Sequence, residues 1–272
     1  MPLSTLLLGF LPLPVSRFIA RVFAYIYYIT HPGRQRIIAN NLHHILGDID
    51  RKRLKRYIFQ TFDNLGQCTL DLLRVPLLKR EDFLSMVEPR GFENFDETLS
   101  YNRGVIMVTP HLGAGEFAGC FLSILGYPMT VVIEPIGRGV SKIYNVYRGY
   151  TGMELIPLNE PLRILRALKR KRALALLADR DLTKTGERVR FFDSFRYIAS
   201  GPKRLALRTG APILFGYMVY QRKEKRPYLG VIEKVEYKGR EGELSQILAD
   251  KFCEIIRKYP TQWFVFQPEW QS

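Results

Sequence analysis

Apolar and polar positions follow two different rhythms along this chain. Up to Val75 the apolar residues recur mostly at helical spacing; from Gly104 onward short apolar runs of strand length alternate with helix-like segments. In the first region, residues 15–29 read as a helix. Phe18, Ile19, Val22, Phe23, Ile26 and Tyr27 cover much of its circumference, and Arg17 and Arg21 lie four apart on one face. A short helix in GRQRIIANNLHHILG follows, ended by Gly47. Residues 48–75 then read as a longer amphipathic helix carrying Leu54, Ile58, Phe59, Phe62, Leu65 and Leu72.

In the second region the pattern predicts strands at 105–108, 129–133, 155–158, 173–178 and 211–220. Helices are predicted from about Glu116 to Leu125 and at 141–150, 162–172, 201–209 and 244–258. Residues 187–192 read as a strand or extended loop, and 228–237 alternate as an antiparallel strand does. This order predicts an α/β fold, a sandwich built on a central mixed sheet flanked by helices, with an N-terminal hydrophobic, amphipathic helical anchor in front. The expected division is residues 1–30 for the anchor and 31–272 for the folded domain.

The anchor reading rests on length and on which residues interrupt the apolar run. Pro12 and Pro14 cut the first stretch well short of the roughly 20 residues that a bilayer helix needs. The dense aromatics Phe18, Phe23, Tyr25, Tyr27 and Tyr28 suit a headgroup boundary. A monotopic segment lying in the interface is therefore expected, with a buried helix of a soluble protein as the alternative. No positively charged stretch precedes the run and no small-residue cleavage site follows it, which argues against a cleaved leader.

Composition narrows the partners. With 41 Lys and Arg against 26 Asp and Glu, the net charge of +15 calls for an anionic one: nucleic acid, anionic lipid or a phosphorylated substrate. The basic cluster Arg51, Lys52, Arg53, Lys55 and Arg56 reads as a solvated face that can also rest on anionic headgroups, at about 1 kcal/mol per residue. Cys68, Cys120 and Cys253 form no CxxC and sit in mostly apolar surroundings, as plain reduced thiols do. The four histidines have no metal-ligand spacing, and no metal is expected.

The candidate chemistry lies in GVIMVTPHLGAGEFAGCFLSILG. Pro110 stops the strand, and His111 and Glu116 fall in the junction before the next helix. Five residues apart, the two side chains can meet only if His111 is in the loop and Glu116 in the first helical turn, which the glycines permit. A solvated His in a turn beside a helix-capping Glu is the plain alternative. Asp179 and Asp181 end another strand, so an α/β sheet can bring them to the same rim as His111; an ion network with Arg180 is the structural alternative. Arg148 closes a basic, Tyr-rich helix and suits bidentate phosphate binding. With no Ser or Cys nucleophile near His111 in sequence, direct general-base attack by a substrate hydroxyl on an acyl thioester is expected. The N–H groups around residues 113–116 would face the developing oxyanion.

TPHLGAGE, with four residues between His and Glu, resembles the motif of the bacterial lipid A late acyltransferases and the related phosphatidylinositol mannoside acyltransferases. RIIANNL, Arg148 ahead of Gly152, LLADRD, VRFF, SGPKRLALRTGAPIL and PTQWFVFQ follow in that family's order, so the likeness runs from about Gly33 to Trp270. The resemblance implies an acyltransferase with His111 as general base, Glu116 as its orienting partner, and Arg148 with Asp179, Arg180 and Asp181 contacting substrate. It implies acyl-CoA or acyl carrier protein as co-substrate with no further cofactor. It also implies a glycolipid acceptor, and work at the cytoplasmic face of the bacterial inner membrane. The chain departs from the lipid A branch at three places: Gly115 where a Trp is usual before the Glu, Arg180 where a Gln is usual, and Gln267 where a His is common. These departures point toward a phosphatidylinositol-type or other glycolipid.

A lysophospholipid acyltransferase would use the same chemistry on a glycerol hydroxyl. From another class, a nucleic-acid-binding protein would use RKRLKR and LRILRALKRKR. Those runs belong to no recognised recognition fold, and no nucleic-acid partner is expected.

Overall fold

The computed structural model describes residues 11–134 and 146–270. Three helices come first: α1 (Leu13–Thr30), α2 (Pro32–Leu46) and α3 (Arg51–Arg74). Pro14 does not delay α1, because a first-turn proline forfeits no intrahelical hydrogen bond. Asp50 caps α3 by accepting the Arg53 backbone N–H at 2.9 Å. Next come α4 (Arg80–Met86), β1 (Val87–Arg90) and α5 (Glu93–Ser100), short elements whose apolar pattern is too brief to show in sequence. Then follow β2 (Val105–Thr109), α6 (Gly115–Ile124), β3 (Met129–Ile133), β4 (Glu154–Pro157), α7 (Pro161–Lys169) and β5 (Ala173–Leu177). A hairpin of β6 (Glu187–Phe191) and β7 (Ser194–Ile198) forms its own small sheet before α8 (Gly201–Thr209), β8 (Ile213–Tyr220), β9 (Tyr228–Lys234) and α9 (Leu244–Lys258). Of the helix expected at 141–150, residues 141–145 lie outside the described residues and 146–149 are helical.

The seven-stranded sheet has the order β1-β9-β8-β2-β5-β3-β4. β8 and β9 run antiparallel and every other neighbouring pair is parallel, the mixed sheet that the pattern predicts. β2 is central and covered on both faces. Val105 and Met107 join the core under α3 and α6, while Ile106 and Val108 join the opposite core with Ile164 of α7, Ala206 of α8 and Phe252 of α9. Each parallel strand that feeds a helix therefore leaves its following loop on one rim, where open α/β sheets place their sites.

The three N-terminal helices form a third apolar cluster around Ala24, Leu42, Ile58 and Phe62. α1 lies on α3 with its polar stripe inward. Arg17 donates to Asp71 at 2.7 Å and to Gln67, and Arg21 sits 3.8 Å from Asp63. Phe18 and Phe23 point outward at 68% and 67% exposure, with Val15, Val22, Ile26 and Ile29 exposed beside them. A helix on a soluble surface shows the reverse arrangement. No described helix is long and apolar enough to cross a membrane.

Asp71 is almost fully buried and also accepts from the Tyr228 hydroxyl, so Arg17 is its only cationic partner in the described structure. Removing one member of a buried pair leaves the other charge uncompensated. Arg17→Met is expected to destabilise the fold by about 3 to 5 kcal/mol in urea titration. The exposed control Arg163→Met should cost under about 1 kcal/mol.

Candidate active site

β2 and β5 are parallel neighbours with Thr109 opposite Leu177. Two residues further along each chain, His111 and Asp179 leave the sheet side by side. Pro110 ends the β2 ladder, and the loop after it is laced to two other segments. Gly113 N–H donates to the Gln262 carbonyl and Ala114 N–H to the Met218 carbonyl, both at 2.8 Å; Phe264 N–H donates to the His111 carbonyl at 2.8 Å. Gly113 has φ +61°, and a Cβ there would come within 2.1 Å of the Met218 oxygen. Only glycine lets the loop pass that close to β8.

Asp179 is fully buried and accepts three hydrogen bonds: from the His111 ring at Nδ1 (2.6 Å), from the His111 backbone N–H (3.1 Å) and from the Trp263 indole N–H (2.7 Å). Burial by itself would raise this carboxyl's pKa. The His111 ring, the Trp263 donor and the nearby Arg196 cation outweigh it and bring the value from 3.8 to about 2. Asp179 is thus an anion near neutrality and an acceptor only, so Nδ1 of His111 carries the proton. The Nε2 lone pair is left on the other side of the ring, and His111 lines a cavity of about 1020 Å³.

The imidazole is therefore held by Asp179, where spacing alone pointed to Glu116. Register explains the difference: Asp179 sits on the adjacent strand at the matching position, whereas Glu116 enters α6 and turns to Arg148. Arg148 grips Glu116 through both Nε (2.6 Å) and Nη2, a two-pronged pair at the cavity wall. Arg180 lines the same cavity, but its Nε donates to Glu269 at 2.6 Å and its Nη2 to the Gln267 side chain. Asp181 is spent within its own loop, where it accepts from the backbone N–H groups of Thr183, Thr185 and Gly186. The oxyanion donors expected around residues 113–116 also narrow. Gly113 and Ala114 are already engaged, which leaves the first-turn N–H groups of α6.

Trp263 and Arg196 escaped the sequence reading as site residues. Trp263 was visible only as part of PTQWFVFQ, and nothing in its spacing connects it to a strand end 84 residues away. The rest of the cavity is mainly apolar, with Leu65, Cys68, Leu72, Met107, Phe117 and Leu122 among its walls. Cys68 is no nucleophile, because burial pushes its thiol well up; Cys120 is pushed up to about 12.

The sequence model of the family described as bacterial lipid A biosynthesis acyltransferase matches residues 3–272. The chain belongs to that family. It is an acyltransferase, and named relatives agree. It is 26% identical over 262 residues to the phosphatidylinositol mannoside acyltransferase of Mycobacterium tuberculosis (strain CDC 1551 / Oshkosh), covering 90% of this chain and 79% of that one. It is 28% identical over 216 residues to the protein of the same name from Mycolicibacterium smegmatis (strain ATCC 700084 / mc(2)155), covering 74% and 67%.

The Asp179 carboxyl titrates lower in the folded chain than in the unfolded one. Its contribution, on the order of 2 kcal/mol, is fully present above about pH 4 and lost as the pH falls through about 2. The unfolding free-energy gap between wild type and Asp179→Asn, from urea titrations at several pH values, is expected to narrow over that window.

Proposed function

We propose that this acyltransferase moves a fatty acyl chain from a thioester, acyl-CoA or acyl carrier protein, to a hydroxyl of a membrane glycolipid. The observation that carries the reading is the His111–Asp179–Trp263 chain at the wall of a large apolar cavity. Nε2 of His111 accepts the proton of the acceptor hydroxyl as its oxygen attacks the thioester carbonyl. The tetrahedral oxyanion meets the first-turn N–H groups of α6. When it collapses, the C–S bond breaks and the proton on Nε2 passes to the departing thiolate, so no acyl-enzyme forms. The apolar cavity takes the hydrocarbon tail, and Glu116 fixes the Arg148 guanidinium beside it.

The acceptor is proposed to be of the phosphatidylinositol mannoside type. Both relatives carry that name, and Gly115, Arg180 and Gln267 depart from the lipid A pattern. The outward Phe18 and Phe23 of α1, together with the positive charge of the chain, favour a monotopic seat on an anionic membrane surface at the cytoplasmic face.

With purified protein and acyl-CoA, His111→Ala is expected to lower kcat/KM about 10³-fold, as loss of a general base does. Glu116→Gln, which spares the base, should lose less. Wild-type turnover in folded His111→Ala would defeat the mechanism. A panel of phosphatidylinositol mannosides, lipid A precursors and lysophospholipids assigns the acceptor, and preference for a lysophospholipid would replace the glycolipid reading.

Phe18→Ser/Phe23→Ser keeps the Arg17–Asp71 pair that deletion of α1 would break. The double variant is expected to stay folded and to lose co-sedimentation with anionic phospholipid vesicles. Unchanged sedimentation would rule out α1 as the membrane seat.

A further inference from the structure

Arg196 on β7 is the most deeply buried charge in the described structure apart from Asp179. Its relative exposure is 0%, and neither Nε nor Nη1 has a hydrogen-bond partner. Its one ion pair, Nη2 to Glu269, is long at 3.3 Å. Burying a cation this way is costly, and an apolar side chain of similar volume would fill the space at lower cost. The stability of the fold therefore does not account for it.

Its surroundings do. The guanidinium lies 4.8 Å from the ring centroid of Phe191, 5.2 Å from that of Trp263 and 5.3 Å from that of Trp270. Trp263 is the residue whose indole N–H holds Asp179 at 2.7 Å. The same ring thus meets a cation on its face and gives its polar edge to the anion that orients His111. Stacking fixes the ring plane, and a positive charge over the π-system strengthens the indole N–H as a donor. Glu269 closes the group by accepting from Arg180 through one oxygen and Arg196 through the other. Arg180 and Gln267, two positions at which this sequence departs from the lipid A pattern, meet at that same point.

We propose that Arg196 is a positioning residue: a buried cation that locks the Trp263 ring in the plane from which its indole N–H holds Asp179 and, through Asp179, the His111 ring. The proposal deepens the reading of His111 as general base. The ionisable groups around Arg196 are Asp179 after β5, Arg180 in the following loop, Glu269 in the C-terminal segment and Cys253 on α9. Asp179 faces His111, Trp263 and Arg196. Removing Arg196 frees the Trp263 ring to turn and weakens its indole N–H bond to Asp179. Glu269 holds the Arg196 guanidinium in place, so removing its carboxylate loosens the same bond.

Indole ¹H–¹⁵N NMR follows this directly, with the Trp263 signal assigned by its loss in Trp263→Phe. Arg196→Met is expected to move the Trp263 indole proton upfield, as a weakened bond to Asp179 does, Arg196→Lys to leave it near wild type, and Glu269→Gln to move it in the same direction by less. In acyl-CoA turnover, Arg196→Met should lower kcat about tenfold while KM stays within about twofold, and Arg196→Lys should restore kcat, because the base and not the substrate contacts is affected. A folded Arg196→Met whose Trp263 indole signal superposes on wild type overturns the proposal, even if its melting temperature has fallen. Should Arg196→Met fail to fold, an unmoved Trp263 indole signal in Glu269→Gln overturns it. Absence of acyl transfer in wild type would remove the catalytic reading and leave the NMR result to decide the role of Arg196.

Discussion

The site depends on one carboxylate shared among three N–H groups of two residues. Asp179 has no solvent to stabilise its charge, and it stays ionised because the ring and backbone N–H groups of His111 and the indole N–H of Trp263 converge on it, with the Arg196 cation nearby. That requirement ties three distant parts of the chain together: the end of β2, the end of β5 and the C-terminal segment after α9. It also fixes the histidine tautomer, because an ionised carboxylate can only accept.

Much of the surrounding architecture serves to keep those three parts in place. The parallel register of β2 and β5 sets the spacing of His111 and Asp179, and the tight passage at Gly113 pins the loop against β8. The C-terminal segment is stitched to the same loop by the bonds from Gly113 to Gln262 and from Phe264 to His111. Behind it the aromatic packing of Phe191, Trp263 and Trp270 around Arg196 leaves the indole little freedom to turn. Phe191, Trp263, Trp270 and Arg196 lie outside the cavity lining, yet the carboxylate that holds His111 at its wall is bonded through Trp263.

The N-terminal helices obey a different constraint. α1 turns its arginines toward the buried carboxylates of α3 and its phenylalanines outward, which is stable in water only at the expense of exposed apolar area. Leu65, Cys68 and Leu72 of α3 line the cavity, so the helix that carries α1 is also a wall of the site. α1 and the cavity are thereby joined through one element.

Local sequence determined most of the elements. Gly201–Thr209 and Leu244–Lys258 are the helices that their spacing predicts, Met129–Ile133 is the predicted strand, and the antiparallel character of Tyr228–Lys234 shows in its alternation. β7 and the α4–β1–α5 stretch stayed hidden because their apolar positions are few and their stability comes from neighbours. His111, Glu116, Arg148, Asp179 and Arg180 were legible as candidates, since strand ends and helix starts are marked by Pro, Gly and charge. Their pairings were not. Which acid holds His111 is decided by strand order and register, and these depend on contacts between residues 68 and 84 apart, far beyond the range over which local periodicity carries information. Sequence supplied the charged groups, and only the closed sheet gave each one its partner.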